Sequence, residues 1–92
     1  FGKERMIRGF GNLIHVPKEK RSLKWVGNSN VSLDIIFLTA DGQVIFFVKS
    51  VDPNSQINLP RNQEIEYVLE LKSGFINRVG VTTSNRLIFE EF

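Results

Sequence analysis

Hydrophobic alternation with a period of two is the feature that most constrains this chain. Val31, Leu33, Ile35 and Phe37 fall on one face of an extended segment, and Ile65, Tyr67, Leu69 and Leu71 on one face of another. In the second segment Glu64, Glu66, Glu70 and Lys72 take the opposite face. Successive strand side chains point to opposite faces, so the pattern predicts antiparallel strands with one face to a core and one to water. Residues 44–48, Val-Ile-Phe-Phe-Val, are a continuous apolar run rich in β-branched and aromatic residues, which predicts a central strand covered on both faces.

Turn chemistry divides the strands. Asp41-Gly42 suits the positive φ angles of a type I′ hairpin turn, and Ser73-Gly74 separates Leu71 from Phe75 in a similar way. Pro53-Asn54-Ser55 and Pro60-Arg61-Asn62 break the chain, and Gly27-Asn28-Ser29-Asn30 forms a loop. Strands are expected near 6–16, 22–26, 31–39, 44–51, 56–59, 64–72, 76–83 and 86–92, with no helix. Short strands with turn signals every ~8–12 residues indicate an all-β fold, an antiparallel β-sandwich of about seven strands or a small barrel.

With 92 residues the chain makes one domain, 1–92. A domain of this size buries roughly 60–65% of its unfolded surface, so eight Phe and many Val, Ile and Leu must fill a modest core efficiently. There is no Cys, which excludes disulfides, thiolate metal sites and a Cys nucleophile. No apolar run approaches the roughly 20 residues of a membrane-spanning helix, and no secretory signal is visible. The chain opens at Phe1 rather than Met, as expected of a processed product or a piece of a longer protein.

Catalytic equipment is sparse. His15 is the single His, and a lone His in a strand is read as structural or surface. Gly9 and Gly11 lack the spacing and following helix of a phosphate loop. Asp52, Asn54 and Gln56 have the every-other-residue spacing of oxygen ligands but lack the Gly and closing Glu of a calcium loop, so no metal or cofactor is expected. Glu64, Glu66 and Glu70 read as a solvated strand face. Asn30-Val31-Ser32 is a formal glycosylation acceptor. No catalytic activity is expected.

Charge is distributed unevenly. Residues 1–25 hold seven basic side chains (Lys3, Arg5, Arg8, Lys18, Lys20, Arg21, Lys24) against two acidic ones (Glu4, Glu19), a balance of +5. The rest of the chain holds five basic and eight acidic residues, a balance of −3. Lys18, Lys20, Arg21 and Lys24 precede Trp25, and cations beside an indole suit an anion with a ring to stack on it. These five residues are the candidate binding site. The plain alternative is a charged loop leading into a strand that buries Trp25.

From residue 31 onward the order of motifs is more specific. Val31-Ser-Leu-Asp-Ile-Ile-Phe-Leu-Thr-Ala-Asp-Gly42 precedes Val44-Ile45 and Ile57-Asn-Leu-Pro60, followed by Glu66-Tyr67-Val-Leu-Glu-Leu-Lys-Ser-Gly-Phe75 and Val81-Thr-Thr83. Over about residues 31–83 this resembles the transthyretin-like, carboxypeptidase-regulatory-like β-sandwich modules, which share a broadly immunoglobulin-like architecture. Ser55-Gln56-Ile57 stands where those modules usually carry Gly-x-Phe. The resemblance implies a non-catalytic structural or protein-interaction module of a larger protein, in an extracellular or cell-envelope setting, with a protein partner or neighbouring domain.

Two other readings stay open. In an OB-fold barrel, residues 17–30 would be a loop that binds single-stranded nucleic acid. In a carbohydrate-binding sandwich, Trp25 would be the sugar platform. Leu87-Ile88-Phe89-Glu90-Glu91-Phe92 is apolar on both faces, so residues 86–92 are expected either as a covered sheet edge or as an edge that pairs with another chain.

Overall fold

A computed structural model describes residues 4–7, 11–16, 24–26, 30–59 and 64–88. Strands β1 (Glu4–Ile7), β2 (Gly11–His15), β3 (Lys24–Val26), β4 (Leu33–Leu38), β5 (Val44–Val51), β6 (Gln56–Asn58) and β7 (Tyr67–Lys72) precede one short helix, α1 (Phe75–Val79). A five-stranded sheet has the order β1-β2-β7-β4-β5, and β3 and β6 form a separate two-stranded ribbon. Every pairing between these strands is antiparallel. Among the described residues the fold is all-β apart from α1.

The sheet is apolar on both faces because its central strands carry apolar residues at consecutive positions. On the first face Ile14, Ile35, Phe37 and Val68 pack with Val16, Leu59 and Ile65, and Ile57 of β6 joins them. On the second face Leu13, Ile36, Leu38, Val44, Leu69 and Leu71 pack around Ile76 of α1. The Phe37 and Phe46 rings stack with centroids 5.5 Å apart. Each large aliphatic side chain taken fully out of water adds about 1.5–3 kcal/mol, so both half-cores contribute to the stability of the sheet.

This arrangement corrects the expectation of strands with one wet face. Ile65 and Val68 belong to the first half-core and Leu69 and Leu71 to the second. Glu66 is half-buried against His15 rather than part of a solvated row. The 44–48 run is not central either. β5 is an edge strand in which Val44 is buried and Ile45 to Val48 are half-buried.

The turns also differ from expectation. Glycine alone takes positive φ in the β4–β5 connection, at Gly42 (φ 87°), so Asp41-Gly42 is not a type I′ pair. Gly42 N–H donates to Thr39 O and Thr39 N–H to Gln43 O, both at 3.0 Å, closing a wider loop with a register shift after Phe37. Ser73-Gly74 leads into α1, replacing the strand expected at 76–83. The strand expected over 6–16 is instead the β1–β2 hairpin. Of the strand expected at 86–92, Arg86 makes one antiparallel bridge, to Gln43, which covers the start of the β5 edge; residues 89–92 lie outside the described residues.

Candidate functional site

The first half-core reaches the surface where β4 begins and β5 ends. Val31, Leu33, Ile35, Val51, Asp52, Pro53 and Asn54 line a shallow, mainly apolar cleft that encloses only about 10 Å³. Val31, at its rim, is 61% exposed. Pro53 and Asn54 (φ 63°) turn the chain from β5 into β6, and Ser55 N–H closes the turn on Asp52 O at 3.1 Å. The same turn leads directly into β6, whose partner is β3.

That pairing locates part of the basic, Trp-containing segment. Lys24 is opposite Asn58, Trp25 opposite Ile57, and Val26 opposite Gln56. The Val26 end of β3 therefore lies beside the β6 end that follows the cleft-lining turn. Lys18, Lys20 and Arg21 lie outside the described residues.

The acidic candidates separate. Glu64 is exposed, whereas Glu66 Oε2 lies 2.9 Å from His15 Nε2. The His15 ring tilts against Tyr67, its cross-strand partner, at 5.4 Å between centroids. Among the described residues, no three His, Cys, Asp or Glu side chains converge on a point that would hold a metal ion. No helix among them is long and apolar enough to cross a membrane.

One buried acid escaped the sequence analysis. Asp34 is 1% exposed near the start of β4 and is the one buried charged side chain among the described residues. Its Oδ1 accepts the Ser50 N–H at 2.9 Å and its Oδ2 accepts the Ile76 N–H at 2.8 Å. A lone acid inside Leu-Asp-Ile-Ile-Phe-Leu was the available signal, since every neighbour in that strand is apolar. Both carboxylate oxygens serve backbone donors, so Asp34 organises structure.

A second polar network binds the 82–87 segment to the β4–β5 loop. Gln43 Nε2 donates to Thr83 O at 2.8 Å and Asn85 O at 3.0 Å, and Arg86 lies 3.4 Å from Asp41. A hydrogen bond from Thr39 Oγ1 and the Arg86 guanidinium hold the Asp41 carboxyl below its ordinary value.

The family model that matches residues 1–89 carries the description "Uncharacterized ACR". A solved structure from Sinorhizobium meliloti 1021, described as a proposed transcription regulator, matches with a TM-score of 0.66 at 25% sequence identity. The match covers 91% of this chain and 65% of that one, so this chain spans less than two thirds of its structural relative. No curated protein matches the chain.

Proposed function

The chain belongs to the DUF192 family, and on that premise we propose that it is a non-catalytic binding module that docks an apolar segment of a protein partner in the Val31–Asn54 cleft. The observation that carries this reading is the contrast between the two kinds of side chain at this end of the sheet. The buried acid, Asp34, is committed to two backbone donors. On the opposite face of the sheet Val31 is exposed and Leu33 and Val51 are half-buried over the buried Ile35. On this reading the five-stranded sheet and the β3–β6 ribbon act as the layers of a seven-stranded β-sandwich, with the cleft where the ribbon stops covering the sheet.

Selection of a phage-displayed peptide library on the immobilised domain tests the reading. The expected result is an apolar consensus peptide whose binding is lost on Val31→Asp while the far-ultraviolet circular dichroism is unchanged. An enriched peptide indifferent to Val31→Asp would refute the cleft as the site.

The basic segment supports a second reading, single-stranded nucleic-acid binding through Lys18, Lys20, Arg21, Lys24 and Trp25. The description of the Sinorhizobium meliloti protein as a proposed regulator is compatible with it. Phosphate neutralisation by lysine and arginine makes such binding strongly salt-dependent. Titration of a labelled oligonucleotide at two salt concentrations tests it. Salt-sensitive binding that weakens on Lys20→Ala and Trp25→Ala supports this reading, and no binding at low salt removes it.

A further inference from the structure

We propose that α1 is a lid that opens independently of the sheet and is held shut by a polar latch centred on Asp34. Isolated helices shorter than ~12–15 residues are marginal in water, so five residues depend on tertiary anchors. The helix has no side-chain cap of its own: Gly74 occupies the N-cap in a left-handed conformation, and no acidic residue lies in the first turn. Asp34 supplies the missing acceptor from β4 by taking the Ile76 N–H.

The other half of the latch lies on β5. Leu33 pairs with Val51 and Ile35 with Val48, so Asp34 alone faces Lys49 and Ser50 in a bulge. Ser50 has φ 49°, a conformation costly for a residue with a Cβ. This conformation accompanies the hydrogen bond from Ser50 N–H to Asp34. Ser50 Oγ and Ser73 Oγ are 2.6 Å apart, and Lys49 Nζ donates to Asn77 Oδ1 at 2.7 Å. Three of these four contacts tie Asp34 or the end of β5 to the β7–α1 turn and α1, and the fourth, Ser50 to Asp34, holds β5 to β4.

The apolar hold of the helix comes from two side chains, Ile76 within the second half-core and the half-buried Phe75 packed against it. Ile76 is its one buried residue, and Val79 is 59% exposed. By contrast, β7 is held along its length by ladders to β2 and β4. Opening α1 breaks the Asp34–Ile76, Ser50–Ser73 and Lys49–Asn77 contacts and frees Ile76 and Phe75, but leaves both ladders and the Ser50–Asp34 bond intact, the condition for local opening below global unfolding. It uncovers the second half-core around Ile36, Leu69 and Leu71.

Native-state hydrogen exchange of the whole chain, followed by NMR at low denaturant, tests the lid. Arg78 N–H and Gly80 N–H are the reporters, since they bond to Gly74 O and Ile76 O within the lid. They are expected to exchange about tenfold or more faster than Leu69, with a weaker denaturant dependence. Ile14→Val, in the first half-core, is expected to speed Leu69 and leave the reporters unchanged. Asp34→Asn is expected to speed the reporters about tenfold. Equal rates and equal denaturant dependence for Arg78, Gly80 and Leu69 in the natural chain would overturn the proposal. So would equal acceleration of all three by Ile14→Val, or reporters indifferent to Asp34→Asn. The first two readouts stand even if Asp34→Asn does not fold.

Discussion

Asp34 Oδ2 accepts a hydrogen bond from the Ile76 N–H at 2.8 Å across 42 residues of chain. One carboxylate thereby joins a sheet strand to the helix over its second face, while its other oxygen holds the β5 bulge through Ser50. The Ile76 bond is buried and the Ser50 bond part-buried, so removing the acceptor strands the Ile76 donor and leaves the Ser50 donor at the edge of the protein.

Asp34→Ala is accordingly expected to lower unfolding free energy by about 2–4 kcal/mol, with Asp34→Asn intermediate because it keeps one acceptor. Urea unfolding followed by circular dichroism measures both. A loss under half a kilocalorie for Asp34→Ala would mean that the two donors find other partners.

Gly11 is required by packing. A Cβ built there would lie 2.1 Å from the Glu70 carbonyl oxygen and 2.9 Å from a Leu71 methyl carbon. Since the first clash is with backbone, β2 and β7 must separate to admit it. Gly11→Ala is expected to cost about 1–3 kcal/mol, read as a lower thermal midpoint. An unchanged midpoint would show that the two strands can spread without loss.

The network around Asp41 predicts an acid dependence. The Thr39 hydrogen bond, with Arg86 adding attraction, lowers the folded-state value of the carboxyl below 3.8. A group with a lowered folded value contributes stability fully present above its unfolded value and lost as pH falls through the folded one. The stability difference between the natural chain and Asp41→Asn should therefore be constant near neutrality and shrink below about pH 4. Urea unfolding across pH 2–7 reads it out, and a gap that widened in acid would reverse the sign.

Much of the architecture was legible because strands advertise themselves by period. Apolar residues within 31–39, 44–51 and 64–72 located β4, β5 and β7, and turn residues located their ends. Burial was harder to read. Period two in the 64–72 segment drew the eye to Tyr67, Leu69 and Leu71, whereas Val68, on the opposite face, is fully buried. Strand position within a sheet leaves little trace in a strand's own residues, so the aromatic run of β5 read as central though it forms an edge. Helix α1 is too short to show a helical stripe, with only Ile76 buried. Asp34 was passed over because a polar residue in an alternating strand resembles a wet position, and its partners are remote in sequence. The basic segment was conspicuous, but the structure locates only Lys24 and Trp25 of it, through their backbone pairing with β6.

The central functional claim is that the domain binds through the cleft between the start of β4 and the β5–β6 turn. The direct measurement is backbone amide NMR of the labelled domain, titrated with the peptide selected from the phage library and, separately, with a single-stranded oligonucleotide. The account predicts peptide-induced shifts confined to the amides of Val31, Leu33, Val51, Asp52 and Asn54, abolished by Val31→Asp, with no shifts from the oligonucleotide. Oligonucleotide-induced shifts centred on Lys24 and Trp25, with the cleft amides silent toward the peptide, would contradict it.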